Sequence, residues 1–343
     1  MKRTELYQRY LDAKENNPRT YARDLASQLG VSEAELLDAR VGHDVQRLNV
    51  DTRILLNALE NVGEVKALTR NDFAVHEHIG VYTQQSLHGH AGLILNPGGI
   101  DLRLFLQHWQ CVFAVHEANK HSLQFFDGQG DAVHKVYALP ETNMSAWQAI
   151  IAEYADNSRQ SFIPSPSRRP QYADNVDAET LEQEWRAMTD VHDFFVLLHR
   201  HNLSRQQAFN AVSDDLAWRV DNTAVQTILQ QAQAVQNDIM IFVANRGCVQ
   251  IFTGIVEKLE PLRGWLNIFN PRFTLHLKDD AIAESWVTRK PTKDGFVTSL
   301  ELYAADGSQI AQLFGQRTEG QPEQTIWREQ IASLTPLTEP EQV

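Results

Sequence analysis

Residues 184–201 read EWRAMTDVHDFFVLLHRH, and in them Trp185, Met188, His192, Phe195 and His199 follow at intervals of three or four. That spacing predicts one helix with an apolar face and an imidazole at its centre. Two readings of His192 are open: a core histidine satisfied by a backbone partner, or an axial ligand to the iron of a flat apolar cofactor. A second candidate is Arg103, in Ile100-Asp-Leu-Arg-Leu-Phe-Leu106. On a strand, Leu102, Leu104 and Leu106 feed the core, while Asp101, Arg103 and Phe105 face the other way. An arginine beside an aromatic suits a pocket wall; a solvated face with an Asp–Arg pair explains the pattern equally well.

Further cations lie near apolar strands in the second half: Arg205, Lys290 and Arg317. Such groups answer carboxylates, with arginine preferred where the contact is bidentate. Taken singly, each reads as a surface charge. His76-Glu-His78 puts two imidazoles on one strand face and His88-Gly-His90 follows, a possible transition-metal site without a framing CxxC or HExxH. There is no GxSxG, no Walker loop and no GxGxxG between strand and helix, so hydrolase, NTPase and Rossmann readings lack support.

The elements that position these residues repeat. The chain has 343 residues, 43% hydrophobic and 22% charged, an ordinary globular composition for two structural units. Its net charge of −13 argues against nucleic-acid binding, which rests on neutralising phosphates. Cys111 and Cys248 sit among β-formers and read as buried strand residues. The N-terminal residues lack the apolar core of a secretory signal, and no apolar run is long enough to span a bilayer, so the expected compartment is the cytoplasm.

Residues 4–60 read as helices. Residues 21–40 have the outline of a helix-turn-helix, but Glu33, Glu35 and Asp38 on the second helix would face phosphates, and a helical hairpin packed on the body is expected instead. Short strands are expected from about residue 62, including 73–79, 81–83, 91–95, 101–105, 112–115 and 122–126, with Asp127-Gly-Gln-Gly130 as a hairpin turn. Residues 156–179 carry three prolines, several serines and an arginine pair, the composition of a linker. A helical block (180–234) and further strands (238–315) then repeat the plan.

Leu29-Gly-Val-Ser32 answers His201-Asn-Leu-Ser204 at an offset of 172 residues, Asn96-Pro97 answers Asn270-Pro271 at 174, and Ser122-Leu-Gln-Phe-Phe answers Ser299-Leu-Glu-Leu-Tyr at 177. The chain is thus expected to be an α+β protein, a tandem duplication of a helices-then-antiparallel-sheet unit of about 170 residues. The expected parts are an N-terminal repeat over 1–155, a linker over 156–179, a C-terminal repeat over 180–333 and a tail over 334–343. In this alignment His192 falls opposite Thr20 and Arg103 opposite Leu277, so each half carries a feature that the other lacks.

Several long motifs resemble those of the bacterial cytoplasmic haemin-degrading and haemin-transport proteins. In the second half these are residues 184–195, 245–254, 286–292 and 315–320; in the first, residues 70–76, 89–97 and 101–106. The resemblance implies two large stacked antiparallel sheets flanked by helices, with haem bound between the halves. It implies His192 as the axial ligand to haem iron, Arg103 over the distal face, Arg205, Lys290, Gln312 and Arg317 at propionates or along the cleft, and Phe105 and Phe195 against the macrocycle. His76 is implied as a secondary haem site. The implied activity is haem degradation with iron release, drawing electrons from an external donor such as NAD(P)H or a reductase and receiving haem from an inner-membrane importer; a non-catalytic haem carrier uses the same residues. Two positions depart from the family pattern: Gly98 stands where an arginine follows the proline, and Phe314 where relatives often have tyrosine.

Overall fold

The structure is a computed structural model, described here over residues 2–89, 91–158, 160–167 and 170–337. The first repeat comprises α1 (Arg3–Asn16), α2 (Ala22–Leu29), α3 (Glu33–Ala39), β1 (Val45–Leu48), α4 (Thr52–Ala58), β2 (Val65–Arg70), β3 (Ala74–Gly80), β4 (Gln85–Ser86), β5 (Gly92–Leu95), β6 (Asp101–Leu104), β7 (Trp109–Glu117), β8 (Lys120–Asp127), β9 (Ala132–Ala138) and α5 (Met144–Tyr154). The second comprises α6 (Ala178–Arg186), α7 (Asp193–His201), α8 (Arg205–Ala211), β10 (Ala217–Val220), α9 (Ala224–Val235), β11 (Ile239–Ala244), β12 (Cys248–Gly254), β13 (Leu259–Leu262), β14 (Trp265–Phe269), β15 (Phe273–Leu277), β16 (Ile282–Thr292), β17 (Gly295–Ala304), β18 (Gln309–Gly315) and α10 (Thr325–Ala332).

The duplication is literal at the level of local chemistry. Ser32 caps α3 through a capping box with Glu35, and Ser204 caps α8 through the same device with Gln207. Gly30 and Asn202 end α2 and α7 in the left-handed region, where glycine and asparagine are tolerated best. The strands form two nine-stranded antiparallel sheets, in the orders β1-β7-β8-β9-β2-β3-β15-β14-β13 and β10-β16-β17-β18-β11-β12-β6-β5-β4. Among the described residues no helix is long and apolar enough to cross a membrane.

Two compact units divide the chain, and they interleave: unit 1 holds residues 1–70, 77–168 and 245–250, unit 2 holds 71–76, 169–244 and 251–343. Each takes in one tight turn from the other repeat, fixed by an asparagine. In unit 2, Asn71 Oδ1 accepts the Phe73 and Ala74 amides while Nδ2 donates to the Ala244 and Ile310 carbonyls. In unit 1, Asn245 Oδ1 accepts the Gly247 and Cys248 amides while Nδ2 donates to Arg70 and Val133. Each side chain thus satisfies four backbone groups that would otherwise be stranded. Replacing either by alanine is expected to cost about 2 kcal/mol, read as a lower denaturant midpoint; an unchanged midpoint would remove the asparagine from this role.

Unit 1 buries α3 by its apolar residues Ala34, Leu36 and Leu37. Its acidic residues also turn inward: Glu33 pairs with Lys135, and Asp38 accepts from Arg3 Nε at 2.7 Å. Deeper in the unit, the fully buried His134 ring meets Thr69 Oγ1 at 2.9 Å through Nδ1 and Tyr82 Oη at 2.5 Å through Nε2. Burial lowers the His134 pKa to about 3. Unfolded histidine takes a proton near pH 6.5 while the folded ring stays neutral, so stability falls as pH drops from 6.5 towards 3. At pH 5 the loss is about 2 kcal/mol. A His134→Gln variant is expected to flatten the stability profile between pH 6.5 and 5 by that amount; parallel profiles would contradict it.

Three expectations change. Residues 81–83 are not a strand; Tyr82 is buried, and Gln84 turns the chain with a φ of 54°. The helical block contains the strand β10, whose four residues pair with β16 but are too few to show a period. The predicted continuous helix over 184–201 is broken. Trp185 ends in α6, α7 starts at Asp193, and residues 187–192 form a turn. Its cause is side-chain competition for backbone amides: Asp193 Oδ2 accepts the Thr189 and Asp190 amides at 3.1 Å each, and Asp190 Oδ1 accepts the His192 amide at 2.8 Å.

Candidate functional site

His192 is the N-cap residue of α7 rather than the middle of a buried face, and its side chain is 89% exposed. Nδ1 lies 2.6 Å from Asp190 Oδ1, which leaves Nε2 on the outward side of the ring. The core-histidine reading is therefore wrong for this residue. One turn on, Phe195 is 73% exposed and Val196 lies beside it, also exposed, so the imidazole stands next to apolar surface. Arg317 is close enough to lower the Asp190 pKa, after the larger effect of the His192 amide. His192, Asp190, Phe195 and Arg317 thus belong to one region of unit 2.

Phe194, between the exposed residues, anchors the helix. It is buried, packs edge-on against Trp185 at 4.5 Å and lies against Phe209. Its ring also receives two cations, Arg205 at 4.9 Å and Lys290 at 4.7 Å. Both converge on Glu301 of β17, a fully buried carboxylate. Arg205 donates to it from Nε at 2.9 Å and Nη2 at 2.7 Å, Lys290 at 3.1 Å and Tyr303 Oη at 2.7 Å. Burial pushes the Glu301 carboxyl up, but the Arg205 and Lys290 charges hold it well below its ordinary range. Burial lowers Lys290 to about 8.

The expectation of surface charges is corrected here: Lys290 is 5% exposed with its ammonium engaged by Glu301 and Thr288, and Arg205 uses two of its nitrogens on Glu301. Gln312 lies directly opposite Glu301 in the sheet and shares its face, next to the half-buried Phe314 two residues on.

In unit 1, Arg103 stands between Leu93 and Val249 on a half-buried sheet face, opposite the buried leucines 102 and 104 as the alternation predicts. Its guanidinium pairs with Asp101, which is buried rather than solvated; burial raises the Asp101 pKa and Arg103 opposes the rise. Phe105 is half-buried and holds the end of the strand, donating its amide to Gly247 at 2.9 Å. His76 and His78 are 0% and 3% exposed, so they are not an exposed imidazole pair; His78 Nδ1 meets the Ile79 carbonyl and the His76 ring lies 4.8 Å from Phe273. His76, the residue expected at a secondary haem site, is fully buried. His88 is exposed, and His90 lies outside the described residues. Among the described residues no three metal-ligating side chains cluster. Reading the sequence missed Asp190 and Glu301; an Asp-X-His turn and a glutamate between leucines of a buried strand were the available signals.

The duplicated α+β fold is that of a known protein family. The profile of the haemin-degrading HemS.ChuX domain matches residues 30–154 and again 202–334, and the chain belongs to that family. It is 60% identical over 334 residues to the hemin transport protein HmuS of Yersinia pestis, covering 96% of this chain and 97% of that protein. The heme degrading enzyme ChuS of Escherichia coli O157:H7 superposes with a TM-score of 0.94 at 57% identity, over 98% of this chain and 100% of that one. The heme-binding protein PhuS of Pseudomonas aeruginosa gives a TM-score of 0.94 at 40% identity, with the same coverage.

Proposed function

We propose that this protein binds haem as a cytoplasmic member of a bacterial iron-acquisition system and opens the ring to release iron. The observation that carries the reading is His192: an exposed imidazole with Nδ1 engaged by Asp190 and Nε2 outward, next to the exposed Phe195. That donor set fits a haem iron ligated through Nε2 with an aromatic against the macrocycle. Bound haem supplies the redox chemistry of its iron, with electrons from an external donor.

The chain's own residues bind and orient. Arg317, near the axial histidine, is the cation assigned to a propionate. Arg205 reaches the same role through Nη1 and the second Nη2 hydrogen, because Nε and one Nη2 hydrogen are committed to Glu301. Lys290 stiffens that arginine from inside rather than touching the ligand. Gln312 is assigned to the cleft wall and Phe105 to the macrocycle. Arg103 is assigned to the distal face, where a fixed guanidinium donates hydrogen bonds to developing negative charge. A second reading, haem carriage without turnover after delivery by an inner-membrane importer, is favoured by the naming of close relatives as hemin transport proteins.

The test loads the protein with haemin anaerobically, adds reductant, and follows the Soret band with and without oxygen. Oxygen-dependent loss of the band with iron release supports degradation; a stable band supports carriage. Arg103→Ala, combined with Asp101→Asn so that no buried carboxylate loses its partner, is expected to slow turnover by about 10²-fold and to spare binding. Equal loss of binding and turnover would remove Arg103 from the distal role.

A further inference from the structure

We propose that Asp190 is the positioning residue for the haem-ligating imidazole: its carboxylate fixes the His192 tautomer and raises the donor strength of Nε2. The inference rests on the reading of His192 as axial ligand and extends it to a residue whose effect passes through the ring.

Oδ1 of Asp190 does two jobs at once. It accepts the His192 amide at 2.8 Å, which sets the turn, and it faces Nδ1 of the same residue at 2.6 Å, which sets the ring. An ionised carboxylate can only accept, so the shared proton sits on Nδ1, and in the neutral imidazole that ligates iron the lone pair is then on Nε2. Ligating histidines elsewhere are held by such a partner, which fixes ring orientation and makes the imidazole a stronger donor. Here the partner is itself held: Asp193 Oδ2 grips the Thr189 and Asp190 amides, and α7 is nailed down by Phe194 immediately beyond.

The first repeat supplies an internal control. At the 172-residue offset, Pro18-Arg19-Thr20 occupies the place of Asp190-Val191-His192, ahead of α2 as the latter precedes α7. That turn is made with neither an aspartate nor a histidine; it closes with the Thr20 amide on the Asn17 carbonyl. The matching helices of the first repeat are thus joined without this pair, and the two residues occur together only where the ligand is assigned. Stability does not explain the pair either. At 89% and 59% exposure it is a solvent-screened contact of the kind worth roughly 0–1 kcal/mol. Its effect grows when a macrocycle covers the ring and excludes water.

The test compares the full-length wild type with Asp190→Asn, Asp190→Glu and His192→Ala, each loaded with haem. Asn keeps the oxygen that accepts the His192 amide and removes the charge. Asp190→Asn is expected to retain the iron–histidine stretching band of the ferrous protein at lower frequency, to move the haem reduction potential in the positive direction, and to weaken haem binding by about tenfold. The melting temperature of the haem-free protein is expected to stay the same, and Asp190→Glu to restore part of each spectroscopic shift. If His192→Ala loses the band while Asp190→Asn keeps the wild-type frequency and potential, the role of Asp190 is overturned and the ligand assignment stands. A lower melting temperature for Asp190→Asn with no spectroscopic shift likewise overturns it in favour of a structural role. If His192→Ala keeps the wild-type band, the ligand assignment fails, and this inference with it.

Discussion

Replacing Glu301 by alanine is expected to destabilise unit 2 by about 3–5 kcal/mol, the cost of removing one partner from a buried ion cluster. Glu301 is fully buried, and among the side chains aimed at it are Arg205, Lys290, Tyr303, Gln309, Ser299 and Thr288. Without the carboxylate, two cations share a site with no counter-charge. Lys290 has an escape, because burial already holds its pKa near 8 and a further fall discharges it. Arg205 has none, since a guanidinium does not deprotonate. Its recourse is to swing outward, which removes one of the two cations from the Phe194 ring and loosens the N-terminal turn of α7. Thermal melting should therefore fall by about 6–20 °C, with Glu301→Gln intermediate because the amide still accepts. A shift of about one degree or less in Glu301→Ala would show that the cluster is neutralised in some other way. The same variant is expected to weaken haem binding, since it disturbs the helix that carries His192.

The second large effect is that of His192→Ala. The imidazole contributes almost nothing to the fold: it is exposed, its side-chain partner among the described residues is the exposed Asp190, and the first repeat joins its matching helices with Thr20 at that position. Its loss is expected to leave melting unchanged and to abolish the histidine-ligated haem spectrum. Affinity for haemin should fall by about tenfold or more, the consequence of losing as little as about 1.4 kcal/mol of ligand bonding. The contrast with Glu301→Ala is diagnostic: one variant loses stability first and binding with it, the other loses binding alone.

Much of the architecture was legible in the sequence because the duplication wrote it twice. The serines at 32 and 204 cap matching helices, and the linked strand runs recur at one offset, so each half checks the other. The alternation in residues 100–106 placed the leucines inward correctly. The sequence hid what depends on side chains reaching across the fold or on short-range competition. The apolar period through Trp185, Met188 and His192 is real, yet Asp190 and Asp193 bond backbone amides and stop the helix there, so a residue that counted as buried is exposed. Asp101 was legible as the partner of Arg103, but a strand pattern cannot say that one member of a charged pair is buried and the other half-exposed. Lys290 and Arg205 are 85 residues apart, and nothing local reveals that both end on Glu301. The paired roles of Asn71 and Asn245 were equally hidden, although both lie in motifs that carried the family resemblance.

The most direct measurement is a haemin titration of His192→Ala against the wild type, followed in the Soret region in both oxidation states, with melting of the haem-free proteins alongside. A histidine-ligated spectrum in the wild type that is lost in the variant, at equal melting temperature, is the predicted result. An unchanged spectrum and affinity in the variant would contradict the assignment of His192 as the iron ligand, and with it the account of this site.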